Sequence, residues 1–238
     1  MAVPIIVQTK TAANNASQTS LAAAFTSKVS ARNTIIVLTS CDGNDTETVP
    51  TDTLGNTYTQ IFKTTVGANN VGAAYYAYNI LGGTNTVTAH FGGSNTEVTM
   101  IAREYSGLDI KDPFITSVNA SNSSGSSTAI NSTATTNFVD SYRLVVSFGI
   151  EAFGAGQTWT VGSGYANVTS VSTNSVEGCA MADKRPGTLA AETATWTLGT
   201  GVNWIGGVAT FRTLPSEVPN DVRSISANDG VSTSGTAN

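Results

Sequence analysis

Apolar and polar residues alternate along most of this chain, from Val3 to Thr213. Alternation puts every second side chain on one face, which is the period of a strand and not of a helix. Residues 3–8 predict a short first strand, and residues 34–39 form a continuous apolar, β-branched run suited to a buried one. Further strands are expected over residues 58–66, 72–80, 84–91 and 97–105, the last broken by Ser106-Gly107. In 84–91, Val87, Ala89 and Phe91 share a face; in 144–150, Leu144, Val146, Phe148 and Ile150 do. Residues 177–183, 193–198 and 204–213 complete about a dozen strands, bounded by Gly, Asn and Asp turn residues.

Only residues 20–28 suggest a helix, and there Leu21, Ala23 and Phe25 alternate, so a strand fits at least as well. A chain of many strands without crossover helices must pair them antiparallel. The expectation is an all-β antiparallel sandwich in one domain over residues 1–213. Residues 119–136, rich in Ser, Thr, Asn and Gly, read as a long loop plus a polar edge strand within it. Beyond residue 213 the pattern stops. Residues 214–238 hold two Pro and no aromatic residue, and read as a polar extended tail that needs some other surface to lie on.

Composition changes this picture little. Charged residues are 11% of the 238, and the 40% that are hydrophobic suffice for a sizeable core. The net charge of −5, with eleven scattered Lys and Arg, argues against nucleic acid as a partner. No apolar run approaches the length of a membrane helix, so no membrane partner is expected. Residues 1–8 lack a basic region and carry Pro4, unlike a signal peptide. Either processing has already happened, or the protein reaches the outside by another route, such as release of virus particles by lysis. Cys41 and Cys179 are far apart, and read as buried thiols in preference to a disulfide.

Five motifs in order carry a resemblance. They are Asp52-Thr53-Leu54-Gly55-Asn56-Thr57-Tyr58-Thr59, Tyr75-Tyr76-Ala77-Tyr78-Asn79 and Gly83-Thr84-Asn85-Thr86-Val87-Thr88. Glu104-Tyr105-Ser106-Gly107-Leu108-Asp109 with Asp112-Pro113-Phe114 follows, and Val208-Ala209-Thr210-Phe211-Arg212 closes the set. Together they resemble a β-sandwich domain of bacterial surface proteins and phage structural proteins. The resemblance implies a lectin-like jelly roll in extracellular or virion settings, no catalytic activity, and no motif of binding residues. Because the domain stands nearly alone, it favours a virion component over a surface adhesin. Physically, Gly55-Asn56 supplies a left-handed turn between apolar runs.

Candidate chemistry is sparse. The only histidine, His90, falls opposite the Val87, Ala89 and Phe91 face, and a single His builds neither a Ser-His-Asp triad nor a His-rich zinc site. Glu104 and Glu151 are the best acid pair for glycoside hydrolysis. Parity, however, sets Glu151 opposite the apolar face, hence exposed, and Glu104 is suited to satisfying turn amides. Asp42, Asn44, Asp45 and Glu47 concentrate oxygen ligands in one loop, a candidate Ca2+ site, with a solvated hairpin of Asx turns as the alternative. Otherwise no cofactor is expected. Tyr75, Tyr78 and Trp159 are candidates for stacking on sugar rings, against the alternative that such aromatics, Trp196 and Trp204 included, fill the core. Since Tyr75 and Tyr76 point to opposite faces, one of them is expected outward.

These features lead to a bacteriophage structural protein, a capsid decoration (cement) or tail-associated protein. It would act at the virion surface by assembly with copies of itself and other virion proteins, and it would not be an enzyme. The alternative is a glycan-binding, lectin-like module of a bacterial surface or secreted protein.

Overall fold

The computed structural model describes residues 3–43, 47–67, 70–95, 97–138, 142–152, 154, 157–173 and 177–214. The tail beyond Leu214, and with it the expectation of an extended segment, lies outside them. The described residues contain no helix and fourteen strands, every pair antiparallel. The first eight are β1 (Ile5–Asn14), β2 (Gln18–Ala24), β3 (Thr34–Asp42), β4 (Thr48–Asp52), β5 (Thr59–Val66), β6 (Asn70–Ala77), β7 (Thr86–Asn95) and β8 (Glu97–Ser106). They form a five-stranded sheet in the order β1-β8-β3-β6-β5 and a three-stranded sheet β2-β7-β4. Residues 20–28 thus begin as strand. Leu21, Ala23 and Phe25 turn inward against Val87, Ala89 and Phe91 of β7, which closes the first apolar layer over Ile35, Val37, Ala73 and Met100.

The remaining strands are β9 (Phe114–Asn131), β10 (Arg143–Ala152), β11 (Trp159–Val161), β12 (Ala166–Ser172), β13 (Glu177–Lys184) and β14 (Thr195–Arg212). Their sheet runs β9-β14-β10-β13-β12, with β11 beside the N-terminal part of β14. The polar stretch from residue 119 is therefore the edge strand expected, paired along β14 as far as Asn131.

This order repeats that of the first half, with β9 in the place of β1 and β2 together, and β14 in the place of β7 and β8. The registers agree as well. In β5–β6 a bulge separates the pairs Thr59↔Tyr76 and Phe62↔Ala74; in β12–β13 it separates Ala166↔Asp183 and Thr169↔Met181. The bulge between Ile6 and Gln8 on β1 recurs between Phe114 and Thr116 on β9. Phe25 N–H donates to Asn85 O at 3.0 Å, and Ser132 N–H donates to Ala194 O at 2.9 Å. Bulges are placed features of a strand pair, so two at matching positions mark the halves as equivalent structures. The sequence echoes them: Thr84-Asn85-Thr86-Val87-Thr88-Ala89 against Thr193-Ala194-Thr195-Trp196-Thr197-Leu198, and Gly55-Asn56-Thr57-Tyr58 against Gly162-Ser163-Gly164-Tyr165.

The halves pack large sheet against large sheet. Ile36, Leu38, Phe62, Tyr76 and Ile101 meet Leu144, Val146, Phe148, Ile150 and Phe211 in one shared core. Phe62 sets its ring edge-on to Phe148 at 5.6 Å, and it lies flush on β14 because Gly207 is there: a Cβ would come within 2.7 Å of the ring. β1 lies beside β12, while β5 lies beside β9. Each half thus offers its first strand to the other's fifth, the reciprocity a two-fold axis produces.

Both faces of the central strands are covered, which corrects two parity readings. Tyr75 and Tyr76 do point to opposite faces, but both are buried, one in each apolar layer. Glu151 lies opposite the Leu144–Ile150 face and yet has no exposed surface, because Trp159, Trp196, Leu198 and Val202 roof that side of the sheet. Alternation says which face a residue takes, and says nothing of whether a further layer lies above it.

Candidate functional site

The predicted sugar-stacking residues do not converge. Tyr75 is 1% exposed in the first apolar layer, so no ring can reach it. Tyr78 is the one partly open tyrosine of its strand region, stacked on Tyr76 at 6.0 Å. Trp159 is half-buried in the other half, edge-on to Trp196 at 5.7 Å. The candidate Ca2+ loop is likewise divided. Asn44 and Asp45 fall outside the described residues. Asp42 is half-buried, and Glu47 turns inward, its Oε1 taking a hydrogen bond from the Thr39 hydroxyl. Among the described residues no group of three His, Cys, Asp or Glu side chains is arranged to hold a metal ion. His90 faces outward as parity predicts, with Nε2 2.8 Å from the Thr51 hydroxyl.

The motif residues do structural work. Asp52 is the hub of its turn: Oδ1 accepts from the Leu54 and Asn56 N–H groups at 3.1 and 3.0 Å. Oδ2 accepts from the Asn56 amide (2.8 Å), the Tyr58 hydroxyl (3.0 Å) and the Asn85 amide (2.9 Å). Burial alone would raise the Asp52 carboxyl, but these bonds from Asn56, Asn85 and Tyr58 outweigh it and hold it below the ordinary range. Gly55 alone takes the left-handed conformation, at φ 74°, while Asn56 acts through its side chain, which also caps Leu81 N–H at 2.7 Å. Glu104 accepts from Ser30 N–H at 2.8 Å, the Asn33 amide at 2.6 Å and the Gln8 amide at 2.7 Å. It ties three segments of the first half together, a turn amide among them.

Buried charges stitch the halves to each other. Arg103 of β8, wholly buried, meets Asp183 of β13 at 3.4 Å and donates to Asn167 O at 2.9 Å and the Thr169 hydroxyl at 2.7 Å. The Tyr105 hydroxyl donates to the same Asp183 oxygen at 3.0 Å. At the other end of the interface Glu177 takes hydrogen bonds from the Ser40 hydroxyl and the Asn70 amide. Asn70 and Glu177 hold corresponding places in the two halves, each beginning its strand. Burial drives the Glu177 carboxyl well above its usual range; the Ser40 and Asn70 bonds offset part of this, and Asp42 and Glu151 add to it. Glu47 is pushed up to about 7 by burial, against the pull of Thr39 and Lys63.

Cys41 and Cys179 are both free and buried, and sit on opposite sides of the first half's large sheet, one in each apolar layer. The Thr99 hydroxyl bonds Cys179 Sγ at 3.3 Å, and burial pushes that thiol up to about 12.

Three of the exposed large apolar side chains stand together at one edge. β1 is the terminal strand of its sheet, and Val3, Ile5 and Val7 stand 60%, 53% and 43% exposed along it. Gly107 packs against this run so closely that a Cβ would lie 2.9 Å from Val3 O. Leu214 N–H donates to Gly107 O at 2.9 Å. The chain's first strand and the start of its C-terminal segment therefore meet at one apolar edge.

No family model, curated protein or solved structure matches this chain. Its function is argued from its own geometry.

Proposed function

We propose that this chain is a structural subunit that works by assembly and not by catalysis, as a capsid decoration or tail-associated protein on a bacteriophage particle. The observation that carries the reading is the β1 edge. An open strand edge presents unpaired N–H and C=O groups and templates further pairing, and soluble proteins blunt such edges with charge or cover. β1 ends its sheet and has β12 beside it, yet Val3, Ile5 and Val7 stay exposed there, next to the hydrogen bond from Leu214 N–H to Gly107 O. Both are expected where copies of the chain, or the chain and a particle surface, join. The strand order of each half, β1-β8-β3-β6 against β2-β7-β4 and its repeat, supports reading each as a jelly roll. The five ordered motifs, which resemble those of a β-sandwich domain of bacterial surface and phage structural proteins, support the same reading.

The test is recovery of the full chain with purified particles, at a copy number set by the particle's symmetry. Substituting Thr at Val3, Ile5 and Val7 should release it from them without lowering its melting temperature. A chain found only as a free monomer would sink the proposal.

A further inference from the structure

The two halves provide an internal control for one row of residues. In the first half Val71, Cys41 and Val98 lie side by side on β6, β3 and β8, apolar and buried. In the second half the same row is Gly178, Glu151 and Trp204, on β13, β10 and β14. Packing alone is met by the apolar version. The polar version leaves both oxygens of Glu151 without a hydrogen-bond partner among the described residues, although the side chain has no exposed surface. The Trp204 and Trp196 Nε1–H groups and the Ser147 hydroxyl, on the same side of the sheet, are buried and unpaired too. Each such group costs roughly 1–3 kcal/mol, more if charged. Buried polar atoms left in this state mark a missing partner.

The surroundings are shaped around these atoms. A Cβ at Gly178 would lie 2.5 Å from Glu151 Oε1, and one at Gly154 would collide with Oε2 and sit 2.7 Å from the Gln157 amide nitrogen. Gly149 lets the Trp159 and Trp196 indoles rest on the sheet, a Cβ there falling 2.6 Å from Trp159 Cζ3. At the rim Trp159 is half-exposed, and Gln157 and Thr200 bond each other reciprocally, Thr200 N–H to Gln157 Oε1 at 2.9 Å. An ammonium group would leave the indole N–H groups unpaired. An anion would satisfy the indoles and leave the acceptor oxygen of the Glu151 carboxyl without a donor. A hydroxyl both donates and accepts, two adjacent hydroxyls match the two oxygens of Glu151, and a sugar ring's C–H face suits an indole.

We propose that the second half binds a ligand bearing vicinal hydroxyls, such as a sugar residue, at the row of Glu151 and Trp204, entered past Trp159 and Gln157. The proposal is independent of the assembly role.

All three tryptophans of the chain lie at this site, so intrinsic emission reports on it alone. The full chain is titrated with glycerol and with free glucose, galactose, mannose and N-acetylglucosamine. A saturable emission change with at least one of them is expected; response to glycerol as well as a sugar assigns recognition to the diol, response to sugars alone assigns it to the ring. Glu151→Leu, which removes the polar group and keeps the volume, should weaken the response tenfold or more while melting as a folded protein. The pair Glu151→Cys and Trp204→Val, which brings two of the three positions to the first half's residues, should abolish it. No saturable change with any of the five would overturn the proposal. So would a response unaltered in Glu151→Leu.

Discussion

Glu151→Gln probes the energetics of the fold. Burial pushes this carboxyl from its ordinary 4.5 up to about 8, and no cation contributes to the shift. Between those values the native protein holds a proton that the unfolded chain releases, so stability falls as pH rises. The contribution is fully present below about pH 4.5, is lost progressively up to about pH 8, and is level above that. At about 1.4 kcal/mol per pH unit, the loss amounts to ~5 kcal/mol. Glu47 and Glu177 are shifted in the same direction, so the wild-type curve alone does not isolate Glu151. The difference between wild type and Glu151→Gln does. Gln matches the neutral acid in shape and polarity, so the two proteins should be nearly equal in stability at pH 5. At pH 9 the variant should be the more stable, by about 4 kcal/mol. Urea denaturation followed by circular dichroism at a series of pH values measures this. A difference that stays constant from pH 5 to 9 would refute the reasoning, since it would mean that Glu151 ionises as freely in the fold as in the unfolded chain.

Three further outcomes follow from the same geometry. Arg103→Ala strands Asp183 in the interface between the halves and should cost about 3–5 kcal/mol in denaturant melts, whereas Arg212→Ala, which breaks the exposed pair with Asp112 at 2.8 Å, should cost under about 1 kcal/mol. Asp52→Ala removes the acceptor of five hydrogen bonds and should destabilise by roughly 3 kcal/mol, with faster amide exchange at Leu54 and Asn56 than elsewhere in the first half. Cys41 and Cys179 should resist thiol reagents in the native protein and react fully in denaturant, because burial holds both as neutral thiols.

The strands are legible because a half-buried strand writes its period into the sequence, as residues 86–91 do, with Val87, Ala89 and Phe91 buried between less buried neighbours. Layering is not. Glu151 and Tyr75 alternate as outward residues should, and only a second sheet, brought from distant sequence, buries them. The repeat left traces in Thr84–Ala89 against Thr193–Leu198, each a Thr-x-Thr-apolar-Thr-apolar strand. Strand counting does not reveal it, because the second half runs two pairs of strands together, β9 spanning what β1 and β2 span. Asp52 and Asn85 were visible as motif residues, but their partnership spans two turns and needed the fold. The candidate site is the least legible: Trp159 is a candidate from the sequence, whereas its companions Trp196 and Trp204 of β14 and Glu151 of β10 come beside it only through the pairing of the second sheet.

The central claim, that this molecule acts by assembly through the β1 edge, is tested most directly by the mass of what it forms. Sedimentation analysis of the full chain, alone and with purified phage particles, compares wild type with the Val3, Ile5 and Val7 to Thr variant. The account predicts that wild type self-associates or co-sediments with particles, and that the variant stays a folded monomer free of them. A wild-type chain that remains monomeric and unbound under both conditions would contradict it.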